Sequence, residues 1–118
     1  MDSVEWELIN LTPHDVSVMT ENGIVTYPPC GIVARVTTEN TVDEYVNGHP
    51  VSKVKFVAYE GLPEVHHDQC LYIVSAMVQQ ALKDSYYRFK HYLISPDTGN
   101  TAIREEGKIV AVRGFVRY

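Results

Sequence analysis

The feature that most constrains this chain is the stretch from Leu71 to Gly99, which reads as strand, helix, strand. Two short apolar runs, Leu71-Tyr72-Ile73-Val74 and Tyr92-Leu93-Ile94, each end in a serine, Ser75 and Ser95. Between them Val74, Met77, Val78, Ala81 and Leu82 recur at helical spacing, and Gln79, Gln80, Lys83 and Asp84 take the other face. A strand, a crossover helix and a second strand in one sheet are expected to run parallel. Both strands then end at one sheet edge, which brings Ser75 close to the loop Ser95-Pro96-Asp97-Thr98-Gly99. Open α/β sheets place ligands at such an edge.

The flanking sequence supplies antiparallel pieces. Glu5 to Thr12 alternates as a strand and is stopped by Pro13, which has no amide donor. Val16–Met19 and Ile24–Tyr27 flank Glu21-Asn22-Gly23 and read as a hairpin, since Asn-Gly tolerates positive φ. After the stiff Pro28-Pro29-Cys30-Gly31 loop, Ile32 to Thr37 resumes β-type sequence, and the polar residues 39–50, with Asn47-Gly48 and Pro50, read as a loop or irregular turn. Val51 to Tyr59 is strand-like, with Lys53 and Lys55 opposite Val54, Phe56 and Ala58. The chain closes on a hairpin of Thr101–Arg104 and Ile109–Phe115 joined through Glu105-Glu106-Gly107-Lys108. The fold class expected is α+β: one domain over residues 1–118, with a mixed, largely antiparallel sheet, one main helix and the strand-helix-strand unit.

Charge bears on partners. The net charge of −5 is uneven: residues 1–82 carry 3 Lys/Arg against 11 Asp/Glu, a balance of −8, and residues 83–118 carry 7 against 4, a balance of +3. An acidic body argues against duplex nucleic acid, whereas a cationic terminal third suits a small anion. No apolar run approaches the roughly 20 residues of a membrane span, and Met1-Asp2-Ser3-Val4-Glu5 lacks a leader pattern, so the expected location is cytoplasmic. Cys30 and Cys70 are too few for a disulfide framework.

Several side chains are candidates for chemistry. His14, in Asn10-Leu11-Thr12-Pro13-His14-Asp15, can act as acid, base or donor near neutral pH, or can simply fill a turn. His66-His67-Asp68 has metal-capable groups, but adjacent histidines on extended backbone point apart and no partner follows at ligand spacing; no metal or cofactor is expected. Cys30 lacks a neighbouring base to make it a nucleophile. Arg35, Arg104 and Arg113 are the cations best placed to hold a carboxylate or phosphate. Ser75, Asp97 and Thr98 are caps and turn formers that also converge on the proposed edge. Tyr86, Tyr87, Phe89 and Tyr92 suit base stacking, a core or an interface between copies in a homo-oligomer.

The run Asn10-Leu11-Thr12-Pro13-His14, then Pro28-Pro29-Cys30-Gly31 with Ala34-Arg35, Gly61-Leu62-Pro63, Tyr72-Ile73-Val74-Ser75, and the closing Arg104 with Gly107, resembles a family of small tailed-phage and actinobacterial proteins. The motifs NLTPH, PPxGxxAR and YIVS spread over nearly the whole chain. The resemblance implies a phage or prophage origin, and with it the host cytoplasm, but brings no activity. This chain departs from the pattern at Cys30, where Ser is expected, and in having Asp97-Thr98-Gly99-Asn100 before the arginine. The function expected is a phage-type binding protein that captures an anionic, nucleotide-like ligand, such as a host immune signal, through His14, Arg35, Ser75, Asp97, Thr98, Arg104 and Arg113. The alternatives are a small hydrolase or transferase using His14 with Ser75 or Cys30, and a virion or partner-protein scaffold.

Overall fold

A computed structural model describes residues 5–118; Met1 to Val4, read above for a leader, lie outside the described residues. The fold is α+β, and its centre is the strand-helix-strand unit. Cys70–Ile73 (β6) and Leu93–Pro96 (β7) pair in parallel, with Tyr72 opposite Leu93 and Ile73 opposite Ile94. The connection contains the helix Ala76–Leu82 (α1), whose N-cap is Ser75. Glu7–Asn10 (β1) adds to the free side of β6, also in parallel, and Phe115–Val116 (β10) pairs antiparallel with β7. The sheet order is therefore β1-β6-β7-β10.

This sheet is covered on both faces, which explains the unbroken apolar run of β6. Cys70, Tyr72 and Val74 project to one side, where Val78 and Leu82 of α1, Tyr87 and Leu93 complete a cluster. Ile73 and Ile94 project to the other and meet Val16 and Val18 of β2 (Val16–Thr20) and Val112. β2 pairs with Gly23–Tyr27 (β3), and its backbone also bonds Val112 just past the final hairpin, Ile103–Glu105 (β8) and Lys108–Ala111 (β9).

Four sequence expectations need correction. Residues 39–50 are not a loop: Arg35–Val46 (β4) and His49–Glu60 (β5) form one long hairpin that turns at Asn47 and Gly48, both at positive φ, as a tight primed turn requires. Helix α1 is rotated from the expected register, because Gln79 is buried and Met77 is 73% exposed. The Gln79 carboxamide donates to the Leu93 carbonyl (2.9 Å) and accepts from the Ser95 hydroxyl (2.6 Å), so a polar residue sits on the packed face without orphaned groups. In the first hairpin Gly23, not Asn22, takes the positive φ. The final hairpin turns at Glu106-Gly107 alone, and Phe115 leaves it to pair with β7.

The β4–β5 hairpin is an arm. At about 3.3 Å per residue its twelve-residue strands reach roughly 40 Å, and all but two of their residues are exposed. The radius of gyration is 16.9 Å where a compact chain of this length has about 13–14 Å, and the longest extent is 59 Å. Only the root is anchored. Val36 and Phe56 pack on the core, and the Ala34 amide donates to the Leu11 carbonyl (2.9 Å). Gly61, at φ +76°, passes so close to the Val33 carbonyl that a Cβ there would collide with it, which is why the strand is stopped by Gly61-Leu62-Pro63.

The tyrosine cluster is mostly core. Tyr87 is buried against Tyr59 and Phe89, and its hydroxyl donates to the Pro63 carbonyl (2.9 Å). His66 stacks on Tyr92 at 3.7 Å, while Tyr86 is fully exposed. Burial pushes the Tyr87 and Tyr72 phenols above their ordinary value of 10, and burial with the Glu7 carboxylate pushes the Cys70 thiol above 9. A raised native value means that the unfolded chain loses its proton first, so stability is intact below pH 9 and falls as pH rises beyond it. The thermal midpoint should drop steadily above pH 9. Tyr87→Phe should cost about 1 kcal/mol at neutral pH through the lost hydrogen bond and make the alkaline decline shallower, as a pH series of thermal melts will read out.

Candidate ligand-binding cleft

Because β1, β6 and β7 run parallel, all three end at the same sheet edge. The segments leaving them form one side of a cleft of roughly 460 Å³: Thr12, His14 and Asp15 after β1, Ser75 and Ala76 after β6, Pro96 and Thr98 at the end of β7. Ile109 to Ala111 of β9, Val112 just past it and the start of β2 form the other, largely apolar wall. A second cavity of about 490 Å³ lies at the root of the arm beside Tyr59, Pro63, Tyr87 and Phe89. Its aromatic walls are already packed on one another and on Arg88, whose guanidinium lies 5.4 Å from the Phe89 ring centre. The strand-end cleft is the better site because converging backbone, rather than side chains with other partners, builds it.

Asn10 holds the first segment in place. Its side chain is almost fully buried, and every polar group on it is used. Nδ2 donates to the carbonyls of His14 (2.7 Å) and Tyr27 (2.8 Å), while Oδ1 accepts from the Thr12 amide (2.9 Å) and hydroxyl (2.7 Å). Its own carbonyl accepts from the Cys30 amide (3.0 Å), and the next residue, Leu11, donates to Ile73 (2.8 Å). One carboxamide therefore fixes the turn that presents His14, ties that turn to the end of β3, and seats the Pro28-Pro29-Cys30-Gly31 loop against β1. The NLTPH and PPCG runs, distant in sequence, meet at this residue.

The sequence candidates divide. His14, Ser75 and Thr98 line the cleft. The Ser75 hydroxyl accepts the Val78 amide of α1 (3.3 Å), so its capping role is real. Asp97 shapes the loop, accepting from the Gly99 amide (3.1 Å) and the Thr101 hydroxyl (3.4 Å). Arg104 is a clamp on the same loop: its guanidinium donates to the carbonyls of Thr98 (2.9 Å) and Gly99 (3.2 Å). Arg113 is exposed and directly follows Val112 of the apolar wall, but does not itself line the cleft. Arg35 stands at the arm root opposite Glu60. The expected pocket shared by His14, Arg35 and Arg104 is not what the cleft is built from, since neither arginine lines it. Arg35 is carried off by the arm, and backbone carbonyls occupy Arg104.

Cys30 is exposed, its thiol 3.5 Å from the Ile32 carbonyl, and it is not in the cleft. Sequence reasoning missed Thr12 and the Ile109–Val112 wall. The first was legible as the last residue before the Pro13 stop. The second was not, because nothing local says that a terminal hairpin folds across the sheet edge.

Asn10→Ala should strand the Tyr27 carbonyl and the Thr12 amide and leave the His14 carbonyl with the Thr12 hydroxyl alone, lowering stability by about 2–4 kcal/mol in chemical denaturation while leaving the fold assembled. In comparisons with known proteins, no family model, curated protein or solved structure matches the chain.

Proposed function

We propose that this is a binding protein that captures a small anionic, nucleotide-like ligand in the strand-end cleft, a role suited to a phage protein that sequesters a host immune nucleotide. The observation that carries this reading is the convergence of three parallel strand ends on one cleft with an apolar wall. Its volume of roughly 460 Å³ falls in the range of about 300–1,000 Å³ that encloses ligands of this size. A flat ring stacks against Ile109 and Val110, and the polar groups of Thr12, Ser75 and Thr98 fix its orientation. The anionic group lies toward His14, the one lining side chain that can carry a positive charge.

A catalytic reading draws on one observation: His14 and Ser75 line the same cleft. The two readings separate in one experiment. Purified protein is titrated calorimetrically with linear and cyclic nucleotides, then heated to release whatever it holds for chromatography. Capture predicts saturable binding of at least one nucleotide, recovered intact. Recovery of an altered compound means chemistry, and absence of binding across the panel overturns the reading. A hydrogen bond to a charged group contributes about 1.5–3 kcal/mol, so His14→Ala should weaken the bound nucleotide roughly tenfold to a hundredfold.

A further inference from the structure

The arm has a pattern that neither the core nor the cleft requires. Cross-strand partners share a face, and the β4–β5 register puts Val42, Tyr45, Val54 and Phe56 on one face that carries no charged residue. Of these, Tyr45 and Val54 are 70% and 67% exposed. The opposite face carries Glu39, Glu44, Lys53 and Lys55, and there the Asp43 carboxylate meets the Lys53 ammonium at 3.5 Å. The charges are also sorted by strand. Every charged residue from 36 to 46 is acidic, and every charged residue from 49 to 59 is lysine.

Among the described residues β4 and β5 pair only with each other, so each has a free outer edge. A two-stranded ribbon is marginal in water unless a third strand or a packed face supports it, and a free edge is a template for another strand. The sorting of charge decides which strand fits. Two copies joined symmetrically through β4 would set acid beside acid, and through β5 lysine beside lysine. Joining β4 of one copy to β5 of the next sets Glu39, Asp43 and Glu44 beside lysines and repeats the pairing already present inside each arm.

We propose that the arm is an assembly element whose partner is a second copy of this chain, the acidic β4 edge of one arm pairing with the basic β5 edge of the next. The new strand pair is antiparallel when neighbouring arms point the same way, because β4 runs outward and β5 runs back. Such a head-to-tail contact closes into a ring or continues as a filament. It merges the uncharged faces of successive arms into one continuous surface.

The test uses the full chain. Native mass spectrometry and sedimentation across a concentration series should show wild-type protein growing beyond a dimer, less so at high salt. A monomer at every concentration, or a dimer that never grows, overturns the proposal. A variant with Glu39→Lys, Asp43→Lys, Glu44→Lys, Lys53→Glu and Lys55→Glu keeps the pairs within the arm, with signs reversed. It should assemble alone as the wild type does, and a folded variant that stays monomeric would overturn the charge-matched head-to-tail pairing. Independently of any variant, hydrogen exchange on the wild type should show outward-facing β4 and β5 amides that become protected as concentration rises. Edges that exchange equally at all concentrations contradict the pairing.

Discussion

The body of this protein depends on the carboxamide of Asn10. Three parallel strands ending at one edge leave backbone groups that must be satisfied as the chain turns away, and the interior offers no water for the purpose. Asn10 has two donors and one acceptor group, and all are engaged, with the carbonyls of His14 and Tyr27 and with both donors of Thr12. Alanine would leave the Tyr27 carbonyl and the Thr12 amide bare. Aspartate would turn the donors into acceptors facing carbonyls. No other side chain of that size has the required pattern.

The consequences extend outward from that point. The turn that Asn10 stabilises presents His14 to the cleft, and its carbonyl seats the Cys30 amide. The chain returning from that loop meets Leu11 at Ala34, and the arm starts one residue later. Site and arm therefore share an anchor, although one lies at the edge of the packed sheet and the other is almost all exposed. Local stability should follow the same division, highest in β6 and β7 and lowest toward the arm's turn at Asn47-Gly48.

What could be read in advance was what has a buried face. The apolar runs 71–74 and 92–94, the amphipathic segment between them and the Ser75 cap announced a parallel pair with a helix, and the edge that carries the cleft followed from it. The outer arm has no buried face, so residues 39–50 show no core-facing periodicity and read as loop; only Asn47-Gly48 hinted at a turn between strands. Gln79 defeated the helical pattern because its partners, Leu93 and Ser95, lie on another element. The structural role of Arg104 was hidden for a related reason, since the carbonyls it clamps become visible only when the 98–102 loop is folded.

The account is tested most directly by the side-chain amide protons of Asn10, followed by nitrogen-edited NMR in heavy water. It predicts two resolved Nδ2 protons that exchange as slowly as backbone amides of β6 and β7, because both donate to carbonyls inside the fold. Nδ2 protons that exchange at the rate of a free carboxamide, with the β6 and β7 amides still protected, would contradict it.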